Sequence, residues 1–322
     1  MNGSAAALSE KRVPVALHKF AIGTAAWTVL LLIAGALVTS NDAGLAVPDW
    51  PLSYGSLMPP MVGGIFYEHG HRMLATVAGL LTIVLAVWLQ RSEPRAWVRK
   101  LGWTALGLVI VQGLFGGLTV LLKLPPAVST THATLAQLYF ITVLSIALVT
   151  SAWWQRDLPS LDDTGSPKLR TLAMLTTIAI FGQLMLGAAF RHGAFGLMPH
   201  EIGAVVVLFI AIYTGRTVRK RFGNVSDLRR WGVMLSAIVG TQILLGLAAF
   251  WAVVEAVHAA QPTVMYVTLT VVHVLVGALT LATSWMLTLS CFRLIRAPGV
   301  PRTAPSGLAT NSPAAHTESS RA

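Results

Sequence analysis

The sequence predicts an all-α integral membrane protein of eight transmembrane helices, arranged as two repeated four-helix bundles. Three observations predict it. Of 322 residues, 55% are hydrophobic and only 11% charged, too apolar a balance for an ordinary soluble domain. Apolar runs near the roughly 20 residues that a spanning helix needs recur eight times, at 20–39, 70–90, 101–122, 130–153, 170–190, 199–216, 231–253 and 264–292. The charge is also sorted: of 23 Lys and Arg residues, all but Arg72, Lys123 and Arg191 fall on one side of this arrangement. Positive residues collect in cytoplasmic loops, so both termini are expected in the cytoplasm and the loops after odd spans outside. That placement turns the formal charge of +11 away from nucleic acid and toward membrane topology.

The elements follow in order. Residues 1–19 read as a cytoplasmic tail. Lys11 and Arg12 before the first span, and Ala34-Gly35-Ala36 within it, resemble a signal peptide and its cleavage site. The apolar stretch is too long for that, and its removal would leave an odd span count, so the span is expected to be retained. The first bundle covers 20–155, a polar cytoplasmic linker 156–169, and the second bundle 170–292. Residues 293–322, rich in Pro, Ala, Ser and Thr, read as a disordered cytoplasmic tail. The lone Cys291 leaves no disulfide within the chain and no cysteine metal site.

The duplication rests on a shared pattern. Gln112…Gly116, Gln183…Gly187 and Gln242…Gly246 place Gln-x-x-x-Gly in spans three, five and seven, while span one has Gly35 with Leu31 at the glutamine position. Small residues beside them (Gly117, Ala188-Ala189, Ala248-Ala249) allow close approach of a helix or of a flat ligand. The glutamines serve either as interhelical hydrogen bonds or as part of a cofactor wall.

Each odd span leads through an outer loop to an even span bearing a histidine near its start: His71, His132, His200 and His273. Ionisable side chains within spans are costly unless partnered and point to function. Matched across the duplication, His71 pairs with His132 and His200 with His273, as axial ligands of two haem irons in the bundle cores. His69, His192 and His258 lack counterparts and read as solvated loop residues, and His18 and His316 as tail residues.

The halves then differ. Glu68 stands three residues before His71, on the same helix face if the helix reaches back that far, whereas Leu197 stands three before His200. The first half has a long outer loop from Ser40 to Tyr67, against about Arg191–Pro199 in the second. Long loops with Gly, Pro and Trp are usually functional. One reacting site in the first half and one fixed redox cofactor in the second are expected.

Gly44-Leu45-Ala46-x-Pro48-Asp49-Trp50-Pro51, Glu68-x-x-His71-Arg72, the Gln-x-x-x-Gly spans and the three later histidines together resemble the heme A synthase family, over roughly residues 20–292. The resemblance implies oxidation of a ring methyl of heme O to a formyl group, through an alcohol, for aa-type terminal oxidases. It implies heme O as substrate at His71 and His132, Glu68 as the catalytic acidic residue, and a resident heme b at His200 and His273. Candidate partners are heme O synthase, oxidase subunits and further copies of the chain. A loop cysteine pair found in many members is missing, with Ala46 and Val47 in the first loop. If both imidazoles ligate the substrate iron, either one leaves to admit oxygen or the ring loses electrons and water attacks; both routes stay open. The rival classes are a bis-histidine membrane cytochrome b relaying electrons and a haem chaperone.

Overall fold

A computed structural model describes residues 13–158 and 160–296. It is all-helical, with eight helices each long and apolar enough to cross a membrane. They are α1 (Val15–Ser40), α2 (Gly63–Ser92), α3 (Ala96–Leu121), α4 (Pro126–Val149), α5 (Leu169–Arg191), α6 (Met198–Phe222), α7 (Ser226–Ala256) and α8 (Val264–Leu294). Each helix of α1–α4 packs on the next and α4 closes back on α1; α5–α8 do the same, with α8 returning to α5. The two groups of four meet through α1, α4, α5 and α8.

Side-chain chemistry sorts the faces. Ile22, Leu30, Leu80, Ile83, Phe209, Leu244 and Leu247 are exposed, as lipid-facing residues would be, whereas hydroxyl residues are buried between helices. There they return their protons to the preceding turn or cross to a neighbour: Thr82 to Tyr139 (2.6 Å), Thr176 to Thr214 (2.7 Å), and Thr177 to Ser284 and Thr288 (2.8 Å each). Between the halves, Phe140, Ala278 and Ala282 form a small core, and the Trp285 indole donates to Ser145 at 2.8 Å.

Several expected boundaries move. α1 begins at Val15, so His18 lies on a helix, with Nδ1 3.3 Å from Thr150 Oγ1, and not in a tail. α4 stops at Val149, short of the expected 153. Thr150 turns its hydroxyl back onto Ile146 O, Trp153 donates to Asp227, and Trp154 lies under Arg293, so the tryptophans anchor a turn and do not extend the span. α8 continues through Leu294, and Ile295 pairs with Leu161 of the linker, so the expected tail starts later than 293. The linker is itself folded: Asp163 accepts from the Leu169 N–H and lies 3.7 Å from Arg221, whose guanidinium also holds the carbonyls of Ser166 and Pro167. The remainder of both expected tails, with His316, lies outside the described residues. Cys291 is buried and free.

Candidate functional site

α2, α4, α6 and α8 each project one histidine toward the middle of their group of four. The His71 and His132 rings have centroids 6.5 Å apart and planes at 84°; His200 and His273 give 6.3 Å and 85°. The structure therefore brings together both pairs expected from the sequence.

Glycine makes this possible. A Cβ added to Gly35 would lie 3.2 Å from His71 Cε1, one on Gly116 3.1 Å from His132, one on Gly187 2.9 Å from His200, and one on Gly246 3.2 Å from His273. Each odd helix thus offers bare backbone to the imidazole of the helix that follows. Real side chains rarely tolerate contacts this close, so any larger residue would push the ring off its line.

The glutamines meet the same rings. Gln112 Nε2 is 3.4 Å from His132 Nε2, and His132 Nδ1 donates to the Gln112 carbonyl at 3.1 Å. That bond leaves the lone pair on Nε2. Gln183 Nε2 is 3.0 Å from His200 Nδ1 and donates to the His200 carbonyl at 2.7 Å. Gln242 Nε2 donates to the His273 carbonyl at 3.0 Å and lies 3.5 Å from the ring. In α1 Leu31 stands at this position, so no glutamine reaches His71. The glutamines are both interhelical bonds and part of the site wall. Gly203 and Gly277 were missed in the sequence: Gln183 and Gln242 lie directly on them. Their signal was present as small residues one turn after His200 and His273.

These pairs suit a macrocycle-bound iron. Metal–imidazole bonds of about 2 Å, with ring centres roughly 1 Å further back, set trans rings about 6 Å apart, as both pairs stand. His71 Nδ1 and His273 Nδ1 are buried without a protein partner, as are the Oε1 atoms of Gln112, Gln183 and Gln242. Among the described residues no cluster of three or more His, Cys, Asp or Glu could hold a metal. Two axial imidazoles alone hold iron well when a porphyrin supplies the other donors.

The loop 41–62 closes over the first pair. Its Trp50 indole lies against Gly117, next to the glycine that faces His132, with Cδ2 only 2.6 Å from where a Cβ would sit. Gly117 therefore receives a ring of the protein itself and not a flat ligand. Asp49 accepts from the N–H groups of Tyr54 (2.7 Å) and Gly55 (2.8 Å), and these bonds hold its carboxyl below the usual carboxylate range. Tyr54 Oη donates to Ala46 O at 2.7 Å.

The loop is tied down from α2, which starts at Gly63 and so does carry Glu68 and His71 on one helix. Glu68 is buried, with Oε1 2.6 Å from Arg72 and Oε2 accepting from the Val47 N–H at 2.8 Å. Arg72 donates onward to the carbonyls of Asp49 and Leu52 at 2.8 Å each and of Val47 at 3.3 Å. Both carboxylate oxygens are thus committed, one to the loop backbone and one to the arginine that holds the loop. Where a cysteine pair would close such a loop covalently, Val47 is buried and the Glu68–Arg72 clamp does the work.

Two loop histidines depart from expectation. His69 is buried, bonded through Nδ1 to Ser53 Oγ at 2.8 Å, because the loop folds down onto it. His192, at the outer end of α5, is half-buried and titrates at about 4, through burial, then the charges of Arg191 and of nearby His132. It is neutral at neutral pH. His258 is exposed, as expected.

A family profile described as cytochrome oxidase assembly protein matches residues 61–199, from the start of α2 into α6. Curated relatives named heme A synthase include one from Symbiobacterium thermophilum, 28% identical over 264 residues, covering 72% of this chain and 84% of that protein. One from Shewanella oneidensis is 29% identical over 51% of this chain and 53% of its own length. One from Bacillus pumilus is 31% identical over 42% and 45%. The profile match spans the first pair and the linker, and relatives of one name align along the chain, so this chain is similar to the heme A synthases.

Proposed function

We propose that this chain is a heme A synthase, a membrane oxidoreductase that converts a ring methyl of heme O to a formyl group for assembly of aa-type terminal oxidases. One observation carries the reading: two histidine pairs of matching geometry differ in how firmly they are held. His200 and His273 each meet a glutamine from the neighbouring helix, whereas His71 faces Leu31. A pair with a glutamine behind each member suits a resident cofactor. A pair in which one imidazole lacks a glutamine, beneath a built loop, suits a substrate that must arrive and leave.

In this reading His200 and His273 hold heme b, which supplies a one-electron redox centre beside the reacting site. His71 and His132 would hold heme O through its iron. Trp50 and the loop shield that end of the bundle from bulk water. Glu68 is the acidic residue on which conversion depends. With its oxygens on Arg72 and Val47, it is a positioning residue that holds the loop shut, not a free base. The charge distribution supports a cytoplasmic location for both termini and an external face for the loop. Heme O synthase and oxidase subunits are the natural donor and recipient.

The test is heme analysis. Co-expressed with a heme O synthase in a host lacking its own heme A synthase, the wild-type chain should yield heme A in an acid–acetone extract. A folded, haem-loaded chain that makes none would leave an electron-transfer cytochrome as the better description.

A further inference from the structure

The outer end of α5 lies where the two groups of four helices meet, and Arg191 there has no anionic partner among the described residues. Its Nη1 donates to Tyr266 Oη at 2.6 Å and its Nη2 to Ser40 Oγ at 2.9 Å; Ser40 is in turn 2.9 Å from Thr270 Oγ1. Ser40 and Thr270 are buried, and Arg191 is itself half-buried. A guanidinium carries five donors in a fork that matches a carboxylate; two neutral hydroxyls and the Tyr266 ring, 5.4 Å from its Cζ, supply no negative charge.

Its position is informative. Arg191 stands one turn beyond Gly187, the glycine that faces His200, on the same face of α5 and about 6 Å further out. Tyr266 and Thr270 occupy the i−7 and i−3 positions of His273 on α8, again one face. α5 and α8 pack together and so form one edge of the space between the His200 and His273 rings. Arg191 is thus at the outer rim of that edge, carried by the helices that frame the second pair. The bland alternative is a clasp between helices, with the cation favoured at a helix C-terminus.

Resting on the haem reading of the second pair, we propose that Arg191, with Tyr266 and Ser40, is an anion subsite that receives a propionate carboxylate of the tetrapyrrole held by His200 and His273. Arg191 also bonds α1 of the first half, so occupancy of the second site bears on the packing of the first. The propionate joins the Arg191 fork through donors that Tyr266 and Ser40 leave free, and the hydroxyls keep the fork oriented. A lipid phosphate at the membrane surface would offer similar chemistry, and the experiment separates the two.

The full chain carrying His71→Ala, so that only the second pair binds, is purified from haem-limited cells and titrated with hemin and with hemin dimethyl ester. The low-spin Soret band reports bis-histidine ligation. The free acid should bind between about tenfold and a hundredfold more tightly than the diester. Arg191→Gln should remove most of that preference with the low-spin band unchanged, and Arg191→Lys should keep part of it. Equal binding of acid and ester overturns the proposal without any variant at Arg191, and is the result expected if Arg191 serves a lipid phosphate or only a helix clasp. An undiminished preference in Arg191→Gln also overturns it. Absence of a low-spin band with either ligand would instead overturn the haem reading of the second pair.

Discussion

The first and second histidine pairs are nearly superimposable in ring geometry, at 6.5 Å and 84° against 6.3 Å and 85°, yet their surroundings differ. The second pair is braced by Gln183 and Gln242, which lie on Gly203 and Gly277, and the loop between α5 and α6 is short, residues 192–197. The first has one glutamine, Gln112, and Leu31 where the other would be. It is covered by a loop of 22 residues, 41–62, held through the Glu68–Arg72 clamp. Identical ligands therefore do not make identical sites. In the proposed reading, the bonds behind the imidazoles and the cover above them would separate retention from turnover.

Removing a ligand should break the comparison most sharply. His200→Ala or His273→Ala should lose most of the low-spin b-type spectrum of purified protein, because one axial bond cannot saturate the iron. His71→Ala should leave that spectrum in place and stop conversion. An intact low-spin band in both second-half variants would mean that the resident haem is held elsewhere.

The clamp comes next. Glu68→Gln keeps size but sets an amide NH2 against one of the two donors and leaves the mostly buried Arg72 without its charge partner, a change worth on the order of 3 kcal/mol of local stability. Amides of residues 43–55 should exchange faster with solvent, and heme O or its alcohol should accumulate while heme b stays bound. Arg72→Gln should do the same. Unchanged exchange with lost conversion would return Glu68 to direct chemistry at the substrate.

The smallest effect sharpens the comparison in both directions. Gln242→Leu gives the second half the first half's apolar position, and Leu31→Gln does the reverse. One hydrogen bond is worth about 1 kcal/mol, near fivefold in a rate or equilibrium. Haem transfer to a scavenging globin should speed up about that much from the second site of Gln242→Leu, and slow down from the first site of Leu31→Gln. No change in either would mean that the glutamines serve helix packing alone.

Much of this protein was legible without coordinates. Apolar length set the eight spans, since a bilayer leaves a backbone no partner but its own helix. Charge sorted the loops, and histidines at matching places in successive spans named the pairs. Gly35, Gly116, Gly187 and Gly246 could be picked out as a pattern, although whether they faced lipid, helix or ligand could not. Helix ends were less legible, because Thr150 and Ile295 are fixed by bonds to distant segments and not by local composition.

Spacing along the chain determined which residues share a helix face, because that follows from the turn of the helix alone. Only the tertiary structure decided what those faces meet. It bonded Glu68 to the Val47 N–H of the loop, buried His69 beneath that loop, and drew His192 toward His132. It also carried Arg191 across to Ser40, 151 residues away. The physical reason is that a side chain's hydrogen-bond partners and its shelter from water depend on how separate helices pack, a property no local stretch of sequence contains.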